Sequence, residues 1–266
     1  MYSLTEYFTI LNQIAPMSLS EKMILSGDYD NSGILIKCHE RVEKVLFSLD
    51  LSNQAVQKAI DIKADTIVTH HPAIYMPIKN LDYTDGLTSA IILCARHNIN
   101  VISMHLNLDL AEQGIDFCLA KALGAKNCTI LDYIDDNHGY GREFTVKKNI
   151  EEIVEDLKQN LNTQKILVYK NCQTNEKKEL KVAAFCGAGS SQALKLVKEN
   201  KTNASVIVTS DMPHHVIKEL VEYGKSIVLI THYAGENYGF NKFFEIVNNK
   251  TSNKVVSEIF NDIRFI

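Results

Sequence analysis

Three short stretches of the chain end alike. TIVTHH closes on His70 and His71. VISMHLNLD carries His105 and, four residues on, Asp109. IVLITHYAGE carries His232 and, four residues on, Glu236. Imidazole nitrogen and carboxylate oxygen are the ligands that suit a borderline divalent metal such as zinc, manganese, iron or cobalt. Each histidine comes after a β-branched apolar run that reads as a buried strand. Strand side chains alternate between faces, so His70 and His71 cannot both meet one ion from a regular strand. Pro72 holds His71 extended and fixes where the chain turns away. Two neighbouring imidazoles aimed at different points suit two metals sharing a ligand, and Asp109 or Glu236 has the two oxygens to bridge. Two ions about 3.5–4 Å apart would clamp a water and activate it for hydrolysis. A lone strand-end histidine is more often a satisfied core or surface residue, so the convergence of three strand ends carries this reading. The glycine in HYAGE argues against a regular helical turn between His232 and Glu236.

Convergence requires a scaffold. Strand-like and helix-like segments alternate almost throughout. KVLFSLD precedes a helix opened by Ser52, DTIVTH precedes LTSAIILCARHN, and INVISMH precedes a helix closed by Gly124. After a less regular middle the pattern resumes with LKVAAFC, ASVIVTS and SIVLITH, each succeeded by a helical segment. This alternation predicts an α/β fold: two similar halves with mixed, largely parallel sheets flanked by helices. In such sheets the carboxyl ends of the strands share one edge, and ligands bind just outside it. The stretch from Asp132 to Leu180 is polar and turn-rich, with one helix and one strand, and reads as the boundary. Residues 1–131 are then the first half, and 132–266 the second. The part of the second half from about 226 returns the H-x-x-x-E ligands to a shared site.

The composition excludes several classes. The 266 residues are 45% hydrophobic and 23% charged with 4 Pro, an ordinary globular balance. A net charge of -4 argues against a nucleic-acid or membrane-surface binder. No charged leader with an apolar core and no membrane-length apolar run is visible, so a cytoplasmic location is expected. Cys38, Cys94, Cys118, Cys128, Cys172 and Cys186 form no C-x-x-C pair and read as reduced, mostly buried thiols. SDMPHH places Asp211, His214 and His215 at a further strand end, either behind the metals or at a helix start. FCGAGSS reads as a tight strand-to-helix turn that can cradle an anion. Arg142 in HGYGRE is an anion partner or part of a surface turn.

Together these segments resemble a known family, the dinuclear metal centre proteins called GTP cyclohydrolase I type 2 homologues, related to the Ngg-interacting-factor-three proteins. DYDNSGILI resembles the family's D-W-D-N-x-G-L, IVTHHPAIY its V-T-H-H-P-x-x-F, and HLNLD its H-T-N-x-D. VTSDMPHHV resembles T-G-D-x-x-x-H, and THYAGE resembles G-H-Y-x-T-E. The resemblance implies metal ligands at His70, His71, Asp109, His232 and Glu236, two divalent ions per chain (zinc, iron or manganese), and a ring-shaped homohexamer. Leu106 departs from a family Thr, Ser210 and Thr231 from glycines, and Gly235 from a Thr; none of these is a ligand. The expected function is metal-dependent hydrolysis of a small-molecule nucleotide or phosphoester, with His105 and His215 moving protons. The alternative is a metal-binding or metal-delivery protein without hydrolase activity.

Overall fold

A computed structural model of the chain describes residues 1–171 and 179–266; Cys172 and the polar run after it, to 178, lie outside the described residues. Contacts divide the chain into two compact units. The first is Met1–Ala111 with Phe240–Asp262, and the second is Glu112–Gly239 with Ile263–Ile266.

The first unit is built on a five-stranded sheet in the order Val256–Phe260, Lys44–Ser48, Thr66–Thr69, Asn100–Ser103, Gly33–Ile36. All neighbours are parallel except the edge strand Gly33–Ile36. The inner strands are buried on both faces, which is why they read as unbroken apolar runs rather than alternating ones. The helix Asn53–Asp61 starts where Ser52 accepts the Ala55 N–H (3.1 Å) and buries Ala55, Val56 and Ala59. Helix Gly86–Arg96 is capped in the same way by Asp85. Phe47 is enclosed by the rings of Phe240, Phe243 and Phe244, at centroid distances of 6.1, 6.2 and 5.2 Å.

The second unit holds a six-stranded sheet in the order Thr129–Tyr133, Gly139–Val146, Leu180–Ala184, Val206–Thr209, Ser226–Leu229, Leu167–Tyr169. Its centre is parallel, and its outer pairings are antiparallel. The fold is thus α/β with mixed sheets in both units. The polar stretch after Asp132, expected to be irregular, instead contributes a hairpin. Phe144 and Val146 point inward with exposed Thr145 between them, and Asp135 closes the turn by accepting the Asn137 and His138 N–H groups. Its polar composition belongs to that turn, and its strand signal was masked by Gly139, Gly141 and Arg142.

Register is what positions the site. In the first unit Ser48, Thr69 and Ser103 are level across three parallel strands, so Asp50, His70, His71 and His105 all emerge at one sheet edge. In the second unit Thr209 is level with Leu229, and the segments carrying Ser210, Asp211 and His232 leave from the same edge.

Candidate metal centre

In the first unit the strand ladder stops at Thr69. His70 N–H and His71 N–H both donate to the Leu49 carbonyl, at 3.1 and 3.0 Å. The alternation expected of a regular strand is therefore broken, and the two rings lie 4.9 Å apart. One nitrogen from each of His70, His71 and His105 lies within 4.8 Å of the others, a group that could hold a metal ion. Strand-end hydroxyls pin the turn. Thr69 Oγ1 donates to the His71 carbonyl (2.8 Å), and the Ala73 N–H donates to Ser103 Oγ (3.2 Å). Asp109 is set by the single helical turn that opens at His105, whose carbonyl accepts the Leu108 and Asp109 N–H groups.

Every one of these histidines is anchored from behind. His70 Nδ1 meets the Met104 carbonyl (2.8 Å), His71 Nδ1 the Asp50 carboxylate (2.7 Å) and His105 Nδ1 the Asp30 carboxylate (2.7 Å). In the second unit, His232 Nδ1 meets the Asp211 carboxylate at 2.5 Å. Carbonyl and carboxylate oxygens only accept, so Nδ1 carries a proton, and Nε2 is the atom left to present a lone pair when the ring carries no second proton. This is the arrangement that orients imidazoles toward a metal. Nε2 of His70 lies 3.4 Å from Asp109 Oδ1, and Nε2 of His232 lies 3.0 Å from Glu236 Oε1. Lone-pair nitrogen facing carboxylate oxygen repels unless a cation is shared, either a proton on the ring or a metal ion bound by both. Nitrogen and oxygen donors in this number fit a borderline divalent ion.

His232 and Glu236 occupy the first turn of the helix His232–Thr251, with Glu236 only 2% exposed. The expectation that Gly235 interrupts a helix there is corrected. The helix runs through it, and a Cβ there would lie 2.8 Å from Ile230 Cδ1, so a larger residue would displace the end of that side chain. Gly187 lies in the left-handed region at φ +54°, and a Cβ there would lie 2.6 Å from Glu236 Oε1, so both backbone and space favour glycine.

The remaining candidates separate. His214 and His215 open the helix His214–Glu222 after Pro213 and are exposed; among the described residues His215 joins no metal-binding group. Arg142 is not on a surface turn. It is 2% exposed, donates to the Gly139 and Gly141 carbonyls, and stands 4.0 Å from Asp116. Asp116 in turn accepts the Gly141 and Cys186 N–H groups at 2.5 and 2.6 Å, so this cluster ties the glycine turn to the sheet. Cys186 is a buried thiol.

The sequence alone does not single out Asp50 or Asp30 as supports. Asp30 also accepts from Ser20 (2.5 Å) and Ser32 (2.6 Å). Burial pushes its carboxyl up, but these hydrogen bonds and that from His105 outweigh it and hold it down at about 2. The signal available was positional: Asp50 lies just past a strand that is level with the His70 strand.

A family model described as Duf34/NIF3 (NGG1p interacting factor 3) matches residues 2–263. A Clostridium perfringens protein named GTP cyclohydrolase 1 type 2 homolog is 27% identical over 268 residues, spanning 99% of this chain and 95% of its own. Reduced HcgD from Methanocaldococcus jannaschii has a TM-score of 0.79 at 28% identity, covering 96% of this chain and 97% of its own. A Bacillus cereus protein related to NIF3 has a TM-score of 0.82 at 19% identity, covering 98% and 97%, a likeness of fold.

Proposed function

The chain belongs to the Duf34/NIF3 family, and on that premise we propose that it holds two divalent metal ions and hydrolyses a nucleotide or phosphoester. The ligands in this reading are His70, His71, Asp109, His232 and Glu236. The observation that carries it is the anchoring of His70, His71 and His232 through Nδ1, with Nε2 of His70 and His232 set against a carboxylate. These residues would hold the ions, and the chemistry such ions would supply is activation of water as a nucleophile at neutral pH.

The chain's own groups do the rest. Asp50 and Asp211 hold the ring tautomers. His105, with Asp30 behind it, is placed to take or give a proton at Nε2. His215 is kept as the comparison residue, since among the described residues no carboxylate hydrogen-bonds to it. The relatives' name, GTP cyclohydrolase 1 type 2 homolog, makes purine nucleotides the first substrates to try.

The test is turnover of nucleotides and phosphoesters by zinc-, manganese- and iron-loaded protein, with His105→Gln and His215→Gln alongside. Hydrolysis lost in His105→Gln with metal retained supports the reading. Wild type that holds metal but turns over none of these substrates would transfer it to the metal-delivery alternative.

A further inference from the structure

Two tyrosines stand beside the histidine cluster of the first unit with their rings in the open. Tyr29 is 44% exposed and Tyr75 43%. The segments that carry them are tied to each other. Tyr75 Oη donates to the Tyr29 carbonyl (3.2 Å), and Asn31 Nδ2 donates to the Ile74 carbonyl (2.5 Å). The rings meet edge to face, with centroids 5.0 Å apart and planes at 81°. Such a contact covers one face of one ring and leaves other ring surface to meet a ligand.

The place of the pair says what it can meet. The Tyr75 ring stands nearly perpendicular to that of His105, at a centroid distance of 6.1 Å and an angle of 88°. His105 in turn lies 5.3 Å from the His70 ring and 5.8 Å from the His71 ring. Tyr29 is joined to the same histidine through its own loop. Its neighbour Asp30 meets His105 Nδ1 (2.7 Å), and Ser32 Oγ accepts the His105 N–H (3.1 Å). One loop therefore supports His105 from behind and presents an aromatic ring beside it. Core packing does not account for this, since the core rings of the unit, Tyr7 and Phe47, are 0% exposed. A single exposed tyrosine needs no explanation. A hydrogen-bonded pair held against His105 is a preorganised surface, and little ordering is left for binding to cost. Stacking asks a ligand only for a π-face, which every nucleobase has and a sugar phosphate lacks.

We propose that Tyr75, supported by Tyr29, is the platform on which the base of a nucleotide ligand stacks beside His105. The platform rests on the hydrolase reading only for calling that ligand a substrate, and within that reading it selects nucleotides over simple phosphoesters. The base lies on the Tyr75 ring, and the remainder of the ligand extends toward His105, His70 and His71.

The experiment uses the full chain as wild type, Tyr75→Leu and Tyr75→Phe, each with and without added zinc. Calorimetry measures binding of guanosine 5′-monophosphate and of ribose 5-phosphate, two probes that differ only in the base. Melting temperature and mass by light scattering are read on the same samples. Wild type is expected to bind the nucleotide at least about tenfold more tightly than the sugar phosphate. Tyr75→Leu keeps apolar bulk without a π-face, and should lose about tenfold for the nucleotide and nothing for the sugar phosphate. Tyr75→Phe keeps the ring and should keep most of the preference. Wild type that binds both probes equally, or neither in either form, would overturn the proposal. An equal loss for both probes in Tyr75→Leu would mark the ring as structural, and a fall in its mass would mark it as a contact between chains; either result also overturns it. Wild type that shows the preference yet hydrolyses nothing supports the platform and refutes the hydrolase reading alone.

Discussion

Removing the Asp50 carboxylate should weaken metal binding about tenfold while leaving the fold intact. His71 Nδ1 lies 2.7 Å from Asp50 Oδ1, with the two side chains 26% and 47% exposed. A charge-assisted hydrogen bond of this kind is worth about 1.5–3 kcal/mol when sheltered. Solvent screening at this exposure brings it to about 1–1.5 kcal/mol. Without the carboxylate, the neutral ring can shift its proton to Nε2, the atom the metal needs, and can turn away. At about 1.4 kcal/mol per decade the cost is about tenfold in affinity, the low end of the range for such supporting groups. The assay is competition for zinc against a fluorescent chelator, using Asp50→Ala, Asp50→Asn and wild type. Asn keeps an acceptor for Nδ1 and should fall between the other two. Asp61, which accepts only from exposed Gln57 on the helix Asn53–Asp61 among the contacts described, supplies the control Asp61→Ala. Affinity within twofold of wild type in Asp50→Ala, or an equal loss in the control, would refute the reasoning.

Other predictions concern the same framework. Gly187→Ala, which combines a left-handed backbone with a Cβ 2.6 Å from Glu236 Oε1, should destabilise by about 1–3 kcal/mol and lower metal content, read by urea melts and plasma mass spectrometry. Asp30, held at about 2 in the folded protein against an ordinary 3.8, contributes stability that is present above about pH 4 and lost as pH falls toward 2. Between pH 5 and 2, urea titrations should show wild type losing about 2 kcal/mol more than Asp30→Asn. Burial pushes the Cys94 thiol up to about 12, so iodoacetamide at neutral pH should leave it unmodified in the native protein and label it in urea, as read by peptide mass spectrometry.

Much of the site's scaffold is legible in the sequence because parallel strands buried on both faces are unbroken apolar runs, and the residues just past each run lie at a common edge. TIVTHH and VISMH place His70, His71 and His105 together on that ground alone. The supporting acids were harder to see. An aspartate after a strand is common, and Asp50 meets His71 only because Ser48 and Thr69 are in register. Gly235 misled because helix propensity weighs against glycine, whereas at this position the missing side chain leaves room for the end of Ile230. The hairpin Thr129–Val146 was hidden for a related reason. Gly141, at φ +75°, and buried Arg142 are unusual strand residues, and they are there to secure the turn held by Asp116.

The most direct test of the central claim is metal content per chain. Untagged protein purified without chelator would be measured by plasma mass spectrometry before and after incubation with zinc, manganese and iron, beside Asp109→Ala. The account predicts close to two ions per chain in wild type and a clear fall in the variant. Wild type that remains empty after every incubation would contradict it.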